Sequence, residues 1–307
     1  MCTIGLATIS LNLASACSKR ITDTVQEPTQ TSLAGKPRAL MLVFGDRSDP
    51  RAVPLATLAD GKIVPITLDT AGWRNFDKLY FPAGTKLQTY RGGQATGEAT
   101  VRRGMWDGEA ALYKLPGCRA LRPLAALQLA PTRDSSSLML EMLATSDPLA
   151  EPPARRPASP AELDSARVFA ARAAQREGLT NTARAELDLV VFALPAGATT
   201  SPTLAGWYLE RGSGVTGKPR HVFALADYSD STHSYVTSFV HVPEDSLRDF
   251  RRLIDHVDLT GDGVDEIVLE GWRTAGESYL VFLQYSGAHW REVARGATSW
   301  CADKPSL

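Results

Sequence analysis

Asp258, Asp262, Asp265 and Glu266 crowd one short stretch near the C-terminus, Asp258-Leu-Thr-Gly-Asp-Gly-Val-Asp-Glu-Ile-Val-Leu269. Their types and spacing suit a hard cation. Calcium takes roughly six to eight oxygens in a flexible arrangement, so a short loop that holds it must offer side-chain oxygens at alternate positions and a carbonyl between them. Counted from Asp258, such side chains fall at the first, third and fifth positions (Asp258, Thr260, Asp262), the Val264 carbonyl is available at the seventh, and Glu266 stands at the ninth. Gly263 permits the sharp bend. An EF-hand would need a bidentate Glu at the twelfth position, where Leu269 stands. The flanks read as strand: Leu253, Asp255 and Val257 alternate before the loop, and Ile267-Val268-Leu269 follows it. The same residues also suit a tight acidic hairpin turn without metal, with Gly261 and Gly263 serving the backbone.

The stretch resembles the calcium loop of FG-GAP and VCBS-type repeats, found in integrin-like propellers and bacterial envelope proteins. That family places acidic or amide residues at loop positions one, three, five and nine. Asp258, Asp262 and Glu266 match, while Thr260 replaces the usual Asp or Asn and removes one charge. The resemblance covers the loop and the hairpin as far as Val293, with no second copy, so a propeller built from such repeats is not expected. It implies a calcium ion held by Asp258, Thr260, Asp262, Glu266 and the Val264 carbonyl.

Other chemistry finds less support in the sequence. The five histidines (His221, His233, His241, His256, His289) form no H-x-x-x-H or H-E-x-x-H pair. Ser213 lies in Arg211-Gly-Ser-Gly-Val215, which is not the G-x-S-x-G elbow of serine hydrolases. Ser229, Asp230, Thr232, His233 and Ser234 cluster as a polar loop, a composition too common to mark a triad. Asp255, Asp258, Asp262, Asp265 and Glu266 could supply a glycosidase pair, yet they crowd one bend where a cation explains them better. No phosphate-binding or dinucleotide glycine pattern occurs, which leaves nucleotide cofactors unsupported. Trp73, Trp106, Trp207, Trp272, Trp290 and Trp300 could include a sugar-stacking platform, with core packing as the plainer expectation.

The elements that must position these residues divide the 307-residue chain unevenly. Residues 3–16 are uncharged and mostly small or apolar, and Ala14-Ser-Ala-Cys17 closes them. This resembles a bacterial lipoprotein signal, which implies lipidation of Cys17; ordinary signal cleavage after Ala16 fits the same residues. Residues 1–17 are thus read as an export signal and 18–36 as a flexible tether. Residues 37–147 carry short apolar runs at regular spacing, including Asp60-Gly61 as a hairpin turn and a strand pair from Lys78 to Tyr90, and predict a small β-barrel or sandwich. The proline-rich residues 148–159 predict a linker. Residues 160–307 predict an α+β domain: a helix opened by Ser159-Pro-Ala-Glu162 and ended near Gly178, packed on an antiparallel sheet that contains the acidic hairpin. The fold class expected is therefore mainly β, α+β overall.

Charge and cysteines narrow the partners. The net charge is −1, and Arg102-Arg103, Arg155-Arg156 and Arg251-Arg252 are isolated pairs read as solvated surface, so nucleic acid is not an expected partner. Cys118 and Cys301 could pair in an oxidising compartment or remain two free thiols. Together these features predict an exported, lipid-anchored envelope protein, periplasmic or at the cell surface, or else secreted and soluble. It would act as a non-catalytic binding or structural module stabilised by calcium, with an envelope protein or polysaccharide as partner. The alternatives are an envelope hydrolase acting on glycan or peptide at an interdomain cleft, and a protein-binding partner such as an inhibitor or assembly factor.

Overall fold

The computed structural model describes residues 36–68, 70–104, 124–130, 139–151, 153, 155–176, 187–210, 220–243, 249–273 and 278–297. The fold is mainly β. Strands β1 (Arg38–Asp46), β2 (Arg51–Ala59), β3 (Lys62–Pro65), β4 (Lys86–Arg91), β5 (Gln94–Gly104), β6 (Ala125–Leu129) and β7 (Met139–Thr145) come first, with helix α1 (Thr70–Tyr80) between β3 and β4. Pairing runs β1-β7-β4-β5-β6-β2, and β2 returns to β1, so six antiparallel strands close into a barrel. Strand β3 pairs with β2 outside that ring.

Small inward side chains make room for the helix. Ala39, Ala52, Ala99, Ala125 and Ala144 are buried in one cluster with Trp73, Phe76 and Tyr80 of α1 and Phe81 just beyond it. Trp73, Phe76 and Tyr80 recur at the spacing of one helix face, which is why α1 forms where no strand is wanted. The strand pair expected from Lys78 to Tyr90 is corrected accordingly. Residues 78–80 end α1, and only Lys86–Arg91 extends as β4. Burial of the aromatic stripe overrides the β-propensity of Leu79-Tyr80-Phe81.

The second half contains α2 (Pro160–Arg176) and strands β8 (Leu187–Leu194), β9 (Thr203–Glu210), β10 (Arg220–Ser229), β11 (Ser234–His241), β12 (Asp249–Val257), β13 (Glu266–Arg273), β14 (Ser278–Tyr285) and β15 (Trp290–Ala297). Helix α2 starts at the expected box: the Ser159 amide donates to Glu162 Oε2 at 2.8 Å and the Glu162 amide to Ser159 Oγ at 3.3 Å. Its Ala166, Ala170 and Ala173 pack on β9 and β10 through Leu204, Tyr208, Val222, Ala224 and Ala226. The approach is close enough that a Cβ on Gly206 would meet that of Ala170 at 2.5 Å.

The strands expected in one sheet form two antiparallel meanders, β8–β11 and β12–β15. The β12–β15 sheet is the central layer of the molecule. Ile267, Leu269, Val281, Leu283 and Trp290 pack against Leu194, Ala205, Phe223 and Leu225 of the outer sheet. Val257, Val268, Leu280, Phe282 and Ala294 pack against Leu40, Val53, Leu55, Tyr90 and Leu143 of the barrel. Burial on both faces is why β13 and β14 read as continuous apolar runs instead of alternating ones. A bulge between Leu253 and Asp255 turns β12 over, so Leu253 meets the outer sheet while Val257 joins the barrel-side core.

Candidate functional site at the barrel–sandwich junction

The acidic loop joins β12 to β13 beside the barrel. Asp258 accepts the Gly261 amide at 2.7 Å on Oδ1 and the Gly263 amide at 2.9 Å on Oδ2. Glu266 accepts the Leu259 amide at 2.8 Å and the Thr260 amide at 3.2 Å on Oε2, and the Thr260 hydroxyl at 2.9 Å on Oε1. Asp262 is exposed and accepts the Val264 amide at 2.9 Å. Asp258 and Glu266 are buried, and burial pushes the Glu266 carboxyl up to about 7, with the charges of Asp262 and Asp258 adding to the shift.

The carboxylates expected as calcium ligands turn mostly toward the loop's own amides. Asp258, Asp262 and Glu266 each accept hydrogen bonds from the loop's own amides, with the Thr260 hydroxyl donating to Glu266 and Val264 contributing its amide. Among the described residues no three Asp, Glu, His or Cys side chains gather about a common point. As arranged, the donor set closes the bend by hydrogen bonds and does not converge on one centre.

Asp265, outside the expected ligand set, belongs to a different constellation. Its Oδ1 lies 2.5 Å from Arg155 Nη1 and its Oδ2 2.7 Å from His256 Nδ1, with the Asp265 carboxylate wholly buried. Arg155 also donates to the Gly263 carbonyl at 2.6 Å and the Pro195 carbonyl at 3.2 Å. Gly93, in the β4–β5 turn, sits directly on this group: a Cβ there would lie 2.7 Å from Asp265 Oδ2 and 3.1 Å from His256 Nδ1. Its φ of +77° also belongs to glycine. The neighbouring Gly92 amide donates to Asp255 Oδ1 at 2.7 Å, while Asp255 Oδ2 has no hydrogen-bond partner among the described residues. Burial pushes Asp255 up to about 6.

A cavity of about 370 Å³ opens over these groups. The barrel supplies Gln88, Tyr90 and Gln94, the segment leading to α2 supplies Pro148, Leu149 and Arg155, and the acidic loop supplies Asp265. That segment, expected as a proline-rich linker, is fastened at its start: the Leu149 amide donates to the Tyr90 hydroxyl at 2.7 Å, and Leu149 is part of the barrel-side core. Arg155 was read from sequence as solvated surface and is instead largely buried. The ion pair with Asp265 makes that burial tolerable. Arg251, from another such pair, is buried beside Glu292.

The remaining sequence candidates separate. Trp73 and Trp290 are core residues, the latter donating to Asp227 at 2.8 Å, whereas Trp207 and Trp272 are half-buried and meet edge-to-face at 6.2 Å. His221 accepts from the Trp207 indole at 2.9 Å, and burial pulls it down to about 3, so it is neutral. Asp230, Thr232 and His233 form the exposed β10–β11 turn. Cys17, Cys118, Cys301, Trp106, Ser213 and Trp300 lie outside the described residues. Sequence reasoning missed Gly93, Tyr90 and Arg155 as site residues. The paired glycines of Arg91-Gly-Gly93 were the available signal, but their φ values of +61° and +77° are what a two-residue hairpin turn requires of itself, so the sequence did not reveal that Gly93 is also packed. No protein-family model, curated protein or solved structure matches the chain, so the reading of this site rests on its own geometry.

Proposed function

We propose that the chain is an exported, lipid-anchored binding module of the cell envelope that takes a small ligand in the cleft between its barrel and its sandwich. The observation that carries this reading is the junction cavity of about 370 Å³, a size in the range of small-molecule sites, walled by residues from both halves of the chain. Two of its charged wall groups are held by protein partners, Asp265 by Arg155 and His256, and Arg155 by Asp265 and two carbonyls, while Glu151 stands exposed at the rim. Groups so fixed suit recognition and positioning better than proton transfer, which needs a group free to exchange its proton with a substrate. Export and lipidation rest on the apolar residues 3–16 and on Cys17. The acidic loop enters as a self-capped hairpin turn that supports one wall.

The test is a ligand-observed magnetic-resonance screen of envelope glycan fragments, with Ala95→Trp as a plugged control. Ala95 lines the cavity and is itself exposed, so the indole fills the mouth without entering the core. At least one fragment is expected to bind the wild type and to lose binding in Ala95→Trp. Binding indifferent to the plug would refute the site, and turnover of a fragment would put the hydrolase reading in its place. A second reading, a protein-binding partner, draws on β11, an edge strand of the outer sheet that leaves Val236 and Val240 exposed. Val240→Lys would leave glycan binding intact and abolish capture of such a partner.

A further inference from the structure

We propose that Arg155 is the built-in cation of the acidic loop, so that a guanidinium does there the fastening that the resemblance assigns to calcium. The loop's sixth-position carbonyl, Gly263, accepts from Arg155 Nη2 at 2.6 Å, and the adjoining Asp265 carboxylate takes Nη1 at 2.5 Å. A second segment closes over the group from the other side. The Pro195 carbonyl accepts from Nη1 at 3.2 Å, and the Asp265 amide donates to the Ala196 carbonyl at 2.8 Å. Gly197 is shaped around it: its φ is +81°, and a Cβ would fall 2.9 Å from both Arg155 Nη2 and the Gly263 carbonyl. A planar fork with several donors satisfies carbonyls and a carboxylate together, which a point charge on a lysine does less well.

The arrangement ties three parts of the chain to one charge: the segment before α2, the β8–β9 turn and the β12–β13 loop. Asp258 and Glu266, which close on the loop's own amides, lie outside its reach; the tie runs through the Gly263 carbonyl and Asp265. The fold at this corner then holds in calcium-rich and calcium-poor surroundings alike.

The experiment uses the full chain and its melting temperature in millimolar calcium and in chelator. The wild type is expected to melt at the same temperature in both, and calorimetric titration with calcium to be silent. Arg155→Met is expected to lose about 10 °C in both buffers, as for one partner removed from a buried pair. Arg155→Lys should lose less. Arg156→Met, removing the exposed neighbour paired with Glu162, should lose no more than about 3 °C. A wild-type melting temperature that rises in calcium, with the rise abolished by Asp262→Ala, would overturn the proposal. So would an Arg155→Met cost no greater than that of Arg156→Met. Should Arg155→Met fail to fold, the wild-type calcium comparison and Arg155→Lys decide.

Discussion

Gly92 and Gly93 offer a controlled comparison within one turn. Both have positive φ, +61° and +77°, so alanine at either position carries the left-handed backbone cost of roughly 1–2 kcal/mol. Only one of them is packed against anything. A Cβ on Gly92 would find nothing within 4 Å, whereas one on Gly93 would sit 2.7 Å from Asp265 Oδ2 and 3.0 Å from His256 Cε1. Relief requires Asp265 or His256 to move, and their 2.7 Å contact is a bond to a charged group, worth roughly 1.5–3 kcal/mol. Gly93→Ala should therefore cost about 3–5 kcal/mol and Gly92→Ala about 1–2 kcal/mol. Urea unfolding of the two variants measures the difference directly. Equal losses would mean that the barrel turn does not press on the Asp265–His256 pair, and the described junction would be wrong at its centre.

Two further outcomes test the same layer. Because Asp255 is raised in the folded state, the stability its proton supplies is full below the unfolded value of 3.8 and lost as pH rises through about 6. Relative to Asp255→Asn, the wild type should lose on the order of 3 kcal/mol between pH 4 and pH 7, read from denaturation curves across that range, and a flat difference would contradict it. On the far edge of the junction, Arg252 of the central sheet donates to both oxygens of Glu141 in the barrel, at 2.6 and 2.7 Å, and to Glu270 at 2.7 Å. A double-mutant cycle of Arg252→Met with Glu141→Gln should give a coupling of about 1 kcal/mol, small because the pair is partly solvated. Zero coupling would detach that edge.

What was legible in the sequence was whatever one element decides for itself. The Ser159–Glu162 box, the period-two runs from Leu187 onward and the closely spaced strands of the first half declare their structure locally, and the α+β, mainly-β class follows from them. Helix α1 was hidden because Leu79-Tyr80-Phe81 favours a strand by composition, while the helical spacing of Trp73, Phe76 and Tyr80 matters only once the barrel leaves room for it. The acidic loop was visible as a bend, but its chemistry was not. Whether Asp258 and Glu266 aim at an ion or at amides depends on backbone direction, and whether the loop has a positive partner depends on Arg155, over a hundred residues away. Asp265 looked like one more acid beside Glu266. Only packing against Gly93, His256 and Arg155 sets it apart.

The central sheet connects fold to proposed function. A sheet with one wet face could let the barrel and the outer sheet swing apart, and a cleft between them would then open and close with the hinge. Here the same strands bury Val268, Leu280 and Phe282 against the barrel and Ile267, Val281 and Leu283 against the outer sheet. Separating the barrel would expose the first set to water at roughly 1.5–3 kcal/mol for each large side chain. It would also strand Asp255, whose one satisfied oxygen takes part of its bonding from Gly92 across the junction. The cavity is therefore preformed, its shape fixed by two cores before any ligand arrives. A preformed site would spare the proposed ligand the ordering cost of binding, and Gln88, Tyr90 and Gln94 supply polar groups on its barrel-side wall.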